Sequence, residues 1–362
     1  MNISEQKVTY QDVINDIVIE HDDYDIAGYA LSNHRKKAFL RNPFLNDKNA
    51  CMLYLQRVDG IVAGRMMFFP SRFSVDGDVK PSLGASSLEV DEKYRSTGIG
   101  ADLAVYPVFQ EGNEVLIYSD FSGEGLDACR ALKFKIFTIP KYYYVVHSFS
   151  LLTHIGLRGL LFSKICSAID GGIFLCRKIF DLFEDTLTKF KVEKVKTVPT
   201  WIDDIVINDG HKYMEMHDHN WFQWNLDNLF HNEEENINEF FVVKEGERCI
   251  GFFMTKTRTQ NVNGKGGVKR LTGAIMEWGT VNEEILSEYQ IYRLALRTFG
   301  KAVDYIVMTI ENKKIQKKIK RRLAFKKGEH SIAFKDIKKQ YRDADRQELW
   351  RLRYGYADSV MN

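Results

Sequence analysis

One order of secondary-structure elements is predicted twice along this 362-residue chain. Each half begins with a hairpin, which is followed by a strand, a helix, a second strand and a second helix. The hairpin turns are indicated by Asp59-Gly60 and Glu245-Gly246, each set between two apolar runs. Matching positions recur at spacings of 187 to 191 residues: Gly64 with Gly251, Glu89 with Glu277, Leu116 with Ile306, and Phe134 with Phe325. This near-constant spacing predicts a mixed-sheet α/β fold that the chain builds twice.

Length and composition agree with a duplicated fold. A chain this long exceeds one ordinary hydrophobic core, so we expect domains at 1–150 and 201–362 with a helical linker at 151–200. A net charge of +2 gives no reason to expect nucleic acid as a partner. The five cysteines form no CxxC pair, so no metal site is expected. Because the first residues lack the pattern of a signal peptide, the sequence predicts a cytoplasmic protein with reduced thiols.

The most apolar stretch, at 151–183, lies within the predicted linker. Charged residues interrupt it, and no uncharged run approaches the roughly 18 residues that a membrane span needs. Two interpretations remain open. The stretch forms helices packed between the domains, or it forms an amphipathic patch that rests on a membrane or holds an apolar substrate.

A glycine turn follows the third strand of the first half, in "EVDEKYRSTGIGADL" at 89–103. A strand that ends in such a turn and continues into a helix brings unpaired backbone N–H groups together at the positive end of the helix dipole. Gly98 and Gly100 let an anion approach the backbone, and Arg95 adds positive charge. We therefore expect a phosphate group to bind at this turn.

The spacing of this turn resembles that of the GNAT superfamily of acyl-CoA-dependent N-acyltransferases. The hallmark of that family is a strand ending in V-x-P-x-Y-R followed by G-x-G-I-G. This chain has "VDEKYRSTGIG", without the proline and the first glycine of the loop. The later "DACRALKF" resembles the helix of the family that ends in L-G-F, with Lys133 in place of the glycine. The resemblance covers about Tyr24 to Val146, while the second half matches by the order of its elements only. It implies two tandem GNAT-like domains.

The resemblance also implies an acyl-CoA site in the first half. The backbone of Leu88 to Val90 would pair with the pantetheine arm like an added strand, and the thioester would lie where that strand splays from "LIYSD". In the second half, Glu283, Glu284 and Glu288 would lie at the matching helix start and repel a diphosphate. We therefore expect the second half to be degenerate, as in Fem-type aminoacyltransferases and N-myristoyltransferase, and to shape the acceptor pocket or support the first half. The amides that would hold the coenzyme A diphosphate are those of Arg95, Ser96, Thr97, Gly98, Ile99, Gly100 and Ala101.

Amide formation from a thioester needs a base for the amine and a proton donor for the leaving thiolate. Glu89 and its repeat partner Glu277 are the candidate bases, although each carboxylate also fits a purely structural role. The resemblance implies a tyrosine acid five residues before Phe134, where this chain has Cys129. Cys129 and Tyr144 are therefore the candidate proton donors, with a place in the core as the alternative for both. A further alternative for Cys129 is a nucleophile that carries the acyl group.

Two further residues are predicted to bind the acceptor amine. Asp120 follows the strand "LIYS", and Trp224 lies in "WFQWNLDNLF". The latter segment resembles one near the second domain of GNAT proteins that are encoded with surface-polysaccharide genes.

The sequence as a whole predicts an N-acyltransferase that transfers an acyl group from acetyl-CoA to a primary amine. The acceptor would be a small molecule, an amino sugar or a peptide amine, placed between the halves. Two alternatives stay open: an inactive coenzyme A binder, and a Fem-like aminoacyltransferase. The basic run "KKIQKKIKRR" at 313–322 is interpreted as a solvated helix face, since its isoleucines are four residues apart. The alternative is that it binds an anionic acceptor such as a nucleotide-linked sugar. The sequence predicts no oligomeric state.

Overall fold

The structure is a computed structural model that describes residues 2–15, 33–105, 114–119, 123–149, 160–183, 187–228, 236–261, 269–299 and 303–357. Its strands are β1 (Ile3–Thr9), β2 (Cys51–Val58), β3 (Ile61–Val75), β4 (Asp78–Val90), β5 (Val115–Ser119), β6 (Lys135–Val145), β7 (Phe190–Val195), β8 (Tyr213–Glu215), β9 (Ile237–Glu245), β10 (Arg248–Asn261), β11 (Lys269–Thr280), β12 (Tyr305–Thr309) and β13 (Ala324–Asp336). Its helices are α1 (Tyr10–Ile14), α2 (Asn33–Leu40), α3 (Ile99–Val105), α4 (Gly123–Ala131), α5 (Leu160–Phe183), α6 (Ile202–Ile207), α7 (His219–Asp227), α8 (Glu288–Thr298) and α9 (Lys313–Arg321).

These elements form two compact units, and neither unit is one continuous stretch of chain. Unit 1 contains Met1–Thr138, Gly210–Asn232 and Ser331–Asn362, and unit 2 contains Ile139–Asp209 and Glu233–His330. Strand β6 therefore enters unit 2 at Ile139, and strand β13 enters unit 1 at Ser331. The domain boundaries expected from the sequence, at 150 and 200, remain predictions.

Unit 1 contains a mixed sheet in the order β1-β2-β3-β4-β5-β13, with β8 paired to β3. Neighbouring strands are antiparallel except β4 and β5, which are parallel. The β2–β3 hairpin turns at Asp59 and Gly60, whose φ angles of 51° and 87° are both positive. The Asp-Gly pair predicts this turn because a two-residue hairpin loop of this type needs positive φ at both positions.

Unit 2 contains strands in the order β6-β12-β11-β10-β9-β7. Counted from the edge strand (β1 in unit 1, β7 in unit 2), the single parallel pair is in both units the fourth strand with the fifth, here β11 with β12, and the other pairs are antiparallel. The predicted second hairpin is present, with β9 and β10 joined at Gly246, whose φ is 60°.

Each unit completes its sheet with a strand from the other half of the chain. In unit 1 the residues of β13 from Ile332 to Asp336 pair with β5. In unit 2 the residues of β6 from Lys141 to Val145 pair with β12. The sequence does not indicate this exchange. The apolar pattern within β6 and β13 is local, so it would be the same whichever strand each of them paired with.

Two hydrophobic clusters form the cores of the units. The unit 1 cluster joins α3, α4, β4 and β5 through buried side chains that include Ile99, Leu103, Leu116 and Cys129. The unit 2 cluster joins α8, α9 and β10 to β12, and it includes Phe253, Ile275 and Trp278. The first cluster fixes the position of the glycine turn, because Ile99 and Leu103 anchor the helix that follows the turn.

Candidate functional site

Strands β4 and β5 of unit 1 separate along their length. They are paired in parallel at Leu83 with Leu116 and at Gly84 with Ile117, and the described residues show no further pair. Strand β4 nevertheless continues to Val90 and β5 to Ser119. The edge of β4 that faces β5 is therefore open from Ala85 onward, and an open strand edge can accept an extended ligand as an added strand.

A β-bulge lies in the open part of β4. Arg65 of β3 pairs with Glu89, but Met67 pairs with Ser86, so β4 carries one extra residue between these pairs. Ser87 in the bulge has a φ of 55°, in the left-handed region. A bulge of this kind bends its strand and increases the local twist, which fits the departure of β4 from β5.

The last residues of β4 present two different faces. Leu88 and Val90 pack against the unit 1 core. Glu89 forms an ion pair with the buried Arg65 of the neighbouring strand β3, with Nη2 of Arg65 and Oε2 of Glu89 3.2 Å apart. The role of Glu89 as a general base remains a prediction.

The glycine turn contains a short helix that the sequence did not indicate. A 3₁₀ helix spans Glu92–Thr97, and the Asp91 side chain caps its start by accepting from the Lys93 amide. Gly98 then adopts a φ of 90°, and α3 begins at the next residue. A side chain on Gly98 would meet no atom within 4 Å, so the requirement for glycine here comes from the backbone conformation.

Three consecutive backbone amides of this turn are not used within the described part of the chain. The N–H groups of Gly98, Ile99 and Gly100 have no acceptor among the residues that the structure describes, whereas those of Ala101 and Asp102 donate to the Gly98 carbonyl at 2.9 and 3.1 Å. The turn from Arg95 to Gly98 is exposed. Converging free amides at a helix start attract an anion such as phosphate.

Arg95 extends this positive site toward β4. Its side chain is exposed, and its Nε donates to the Val90 carbonyl at 3.2 Å. The guanidinium thereby lies at the end of the open strand. A ligand that lay along β4 and ended in a phosphate group would contact the open strand edge first and then Arg95 and the free amides.

The matching turn of unit 2 has a different hydrogen-bond pattern. Helix α8 begins at Glu288, so Glu283 and Glu284 lie in the preceding turn rather than in the first helical turn that we expected. The reason is a capping box in which Ser287 and Gln290 satisfy each other's backbone amides. The Glu284 amide is also occupied, by the Asn282 side chain at 2.8 Å. Amides that are capped internally, beside three carboxylates, do not form an anion site.

The predicted proton donors are placed in different units. Cys129 lies in the unit 1 core, and burial raises the pKa of its thiol to about 12. The thiol is therefore protonated at neutral pH, which disfavours a thiolate nucleophile. Tyr144 lies on β6 in unit 2, where the Arg177 guanidinium lies 3.5 Å from its ring centroid. Burial raises the pKa of Tyr144, and Arg177 opposes that shift.

The remaining predicted residues are placed as follows. Glu277 is fully buried on β11 of unit 2, where its Oε1 accepts from the Trp278 amide at 3.3 Å. Trp224 is buried in unit 1, and its indole N–H donates to the Ala38 carbonyl at 2.7 Å. Asp120 lies outside the described residues. The functional roles assigned to all three remain predictions.

Tyr118 is a candidate that the sequence analysis missed. It is the residue after Ile117, the last β5 residue paired with β4. Its side chain is buried in the unit 1 core and stacks on Phe134, with ring centroids 5.2 Å apart. Its hydroxyl has no hydrogen-bond partner in the described part of the chain. Burial raises its pKa well above the usual range, and Cys129 adds to that shift, so the hydroxyl is a protonated donor.

Two kinds of feature are absent from the described residues. No group of three or more His, Cys, Asp or Glu side chains could hold a metal ion. No described helix is both long enough and apolar enough to cross a membrane.

The chain has the fold of the GNAT superfamily of N-acyltransferases. A GCN5-related N-acetyltransferase from Anabaena variabilis aligns with a TM-score of 0.54 and 8% identity, over 93% of this chain and 73% of its own. N-myristoyltransferase from Saccharomyces cerevisiae, solved with bound myristoyl-CoA, aligns with a TM-score of 0.56 and 11% identity, over 92% of this chain and 82% of its own. No family model and no curated protein matches the sequence. Identities this low establish the fold alone.

Proposed function

We propose that this protein is an acyl-CoA-dependent N-acyltransferase whose unit 1 binds the acyl donor. The proposal rests chiefly on the three free amides of Gly98, Ile99 and Gly100, which follow the open edge of β4 after one short 3₁₀ helix. The diphosphate of coenzyme A would accept from these amides, with Arg95 beside it. The pantetheine arm would pair with β4 from Ala85 toward Val90.

This placement puts the thioester in the space that opens between β4 and β5. A neutral primary amine attacks the thioester carbonyl carbon, the C–S bond of the tetrahedral intermediate breaks, and the amine loses a proton to a base or water. The coenzyme A thiolate takes up a proton. Tyr118 is the proposed donor of that proton, because it follows the last β5 residue paired with β4 and its buried hydroxyl has no hydrogen-bond partner in the described part of the chain.

The proposal also covers the identity of the acyl group and the chemical class of the acceptor. Acetyl-CoA is the donor that we propose, with a small-molecule, amino-sugar or peptide amine as the acceptor. One solved protein of the same fold holds myristoyl-CoA, so acyl-CoAs of increasing chain length belong in the test.

We further propose that the chain is a tandem duplication with one donor site. Both units contain a single parallel strand pair at the same place in their order. Both also contain a bulge in the strand that carries the matched glutamate: β11 has an extra residue between the pairs Met254–Glu277 and Thr255–Ile275. The capped and acidic turn before α8 supports loss of the donor site in unit 2.

The test compares two glycine variants. Gly98→Glu places a carboxylate beside the free amides, and we expect coenzyme A affinity to fall by at least about tenfold, as measured by calorimetry. Gly60→Glu is the matched control, because Gly60 has a φ of 87° and equally open surroundings in the β2–β3 turn. This control carries the same backbone strain and charge, and it should bind coenzyme A normally.

Activity is measured as thiol release from acyl-CoAs with a panel of primary amines. Release that depends on an amine, and that Gly98→Glu abolishes, supports the enzyme. Tight coenzyme A binding without thiol release for any amine would identify the protein as a coenzyme A-binding protein that is not an enzyme. Equal affinity in Gly98→Glu and Gly60→Glu would contradict the placement of the diphosphate.

A further inference from the structure

Helix α5 of unit 2 is amphipathic in the reverse of the usual sense. Its packed face recurs every three or four residues and carries Cys166, Asp170, Ile173, Arg177 and Asp181. Three of these five residues are charged. A helix on the surface of a globular protein normally turns its apolar residues inward and its charges toward water.

The charges on the packed face have specific partners. Arg177 donates to the carbonyls of Val145 and Arg322, at 2.7 and 3.1 Å. Asp181 accepts from Arg322 at 2.7 Å and from Arg293 at 2.9 Å. Rotating the helix to bury its other face would leave these groups unpaired, and a buried unpaired charge is strongly destabilising. The contacts therefore fix the orientation of the helix.

The opposite face of α5 exposes large apolar side chains. Seven of the sixteen exposed large hydrophobic residues in the described part of the chain lie on this one helix. Leu175 is 61% exposed and Leu182 80%. A concentration of this kind marks a surface that meets an apolar environment. The seven are Ile165, Ile169, Phe174, Leu175, Ile179, Phe180 and Leu182.

The exposed charges on α5 and on the neighbouring helix α9 are all of one sign. On α5, the exposed charged residues are Lys164 and Lys178. Helix α9 is held next to α5 by the bond from Arg177 to the Arg322 carbonyl, at the end of α9. Its exposed charged residues are also all cations: Lys313, Lys314, Lys317, Lys318, Lys320 and Arg321.

We propose that the apolar face of α5 rests on an anionic lipid bilayer, with the helix axis parallel to the surface. Side chains such as Leu175 and Ile179 enter the boundary between headgroups and acyl chains, and the flanking lysines contact anionic headgroups. One face of α5 is held against unit 2, so only the opposite face enters lipid. A second copy of the chain fits less well, because it would bring two sets of cations together.

The test is vesicle co-sedimentation of the full chain. Wild-type protein should bind vesicles of phosphatidylglycerol and phosphatidylcholine more tightly than vesicles of phosphatidylcholine alone. Leu175→Glu with Ile179→Glu should weaken binding by at least about tenfold, since two apolar anchors are replaced by charges. Lys164→Gln with Lys178→Gln should weaken binding to the anionic vesicles by about fivefold per lysine.

A matched control changes two exposed apolar residues on other elements of unit 2. Ile237→Glu with Val281→Glu adds the same charge at sites that are 48 and 42% exposed. It should bind anionic vesicles like the wild type. All of these positions are exposed, so thermal unfolding should stay close to that of the wild type for every variant.

Two results would overturn the proposal. The first is a wild-type protein that binds neither kind of vesicle and forms a dimer that Leu175→Glu with Ile179→Glu converts to a monomer, measured by light scattering. That result would assign the face to a second copy. The second is a monomer that binds no vesicles, which would assign the face to another protein.

Discussion

At the scale of single residues, Lys133 has a strained backbone conformation at the position where the L-G-F pattern has glycine. It has a φ of 59° at the end of α4. The amides of Lys133 and Phe134 donate to the carbonyls of Arg130 and Cys129, at 3.0 and 2.9 Å. This is a Schellman motif, which favours glycine at the left-handed position. Leu323, the residue after the C-cap of α9 in the second half, also has a φ of 59°.

We expect Lys133→Gly to stabilise the protein. The left-handed conformation costs a residue with a side chain about 1–2 kcal/mol, and the greater freedom of glycine in the unfolded chain offsets part of the gain. The net increase in the free energy of unfolding should be about 0.5–1 kcal/mol, measured by urea denaturation. Arg130→Gly, within α4, is the control and should destabilise instead. A loss of stability in Lys133→Gly would mean that the lysine side chain makes a stabilising contact.

Tyr118 supports a second prediction at the same scale. If its hydroxyl protonates the leaving thiolate, Tyr118→Phe should lower kcat by about 100-fold or more. The variant should be as stable as the wild type or more so, because the lost hydroxyl is buried without a partner. Cys129→Ala, measured in parallel, tests the neighbouring thiol. An unchanged kcat in Tyr118→Phe would leave Tyr118 as a core aromatic.

At the scale of elements, the position of α3 depends on a close approach to β3. A Cβ on Gly64 would lie 2.8 Å from the Leu103 side chain, 2.9 Å from that of Ile99 and 3.1 Å from the Glu89 carbonyl. Gly251 is crowded in the same way in unit 2, where a Cβ would lie 2.7 Å from the Leu286 side chain. The spacing between these glycines, found in the sequence, therefore corresponds to one packing requirement met twice.

This pair of glycines allows a matched test of the donor site. Gly64→Ala and Gly251→Ala should each destabilise the protein by about 1–3 kcal/mol, because both overpack a strand: the first against α3, the second against Leu286 in the turn before α8. Only Gly64→Ala should weaken coenzyme A binding, since only α3 begins with free amides. Calorimetry on both variants checks this. Weakened binding in Gly251→Ala alone would move the donor site to unit 2.

Most elements were predictable from local signals, and the details of the site were not. The Asp59-Gly60 turn, the open glycine turn and the apolar strands are each specified by residues close in sequence. The start of α8 at Glu288 was missed because the capping box of Ser287 outweighs the helix-forming residues before it. The bulge at Ser87 and the buried place of Tyr118 depend on the register between strands, which one sequence does not display.

At the scale of the whole molecule, the exchange of β6 and β13 decides what can fold alone. A fragment of residues 1–150 lacks β13, so β5 would lose its antiparallel partner in unit 1. We expect this fragment to lack cooperative unfolding and coenzyme A binding, measured by near-UV circular dichroism and calorimetry. A folded, coenzyme A-binding fragment would show that the N-terminal half completes its sheet unaided.

The same exchange sets the order in which the protein matures during translation. Every residue of unit 2 leaves the ribosome after β5 and before the part of β13 that pairs with it. The first sheet to be started is therefore the last to be closed, and until then the edge of β5 is exposed to other nascent chains. Slow synthesis of the second half would prolong that exposure, so codon usage and chaperone supply should affect the yield of active protein more than its final stability.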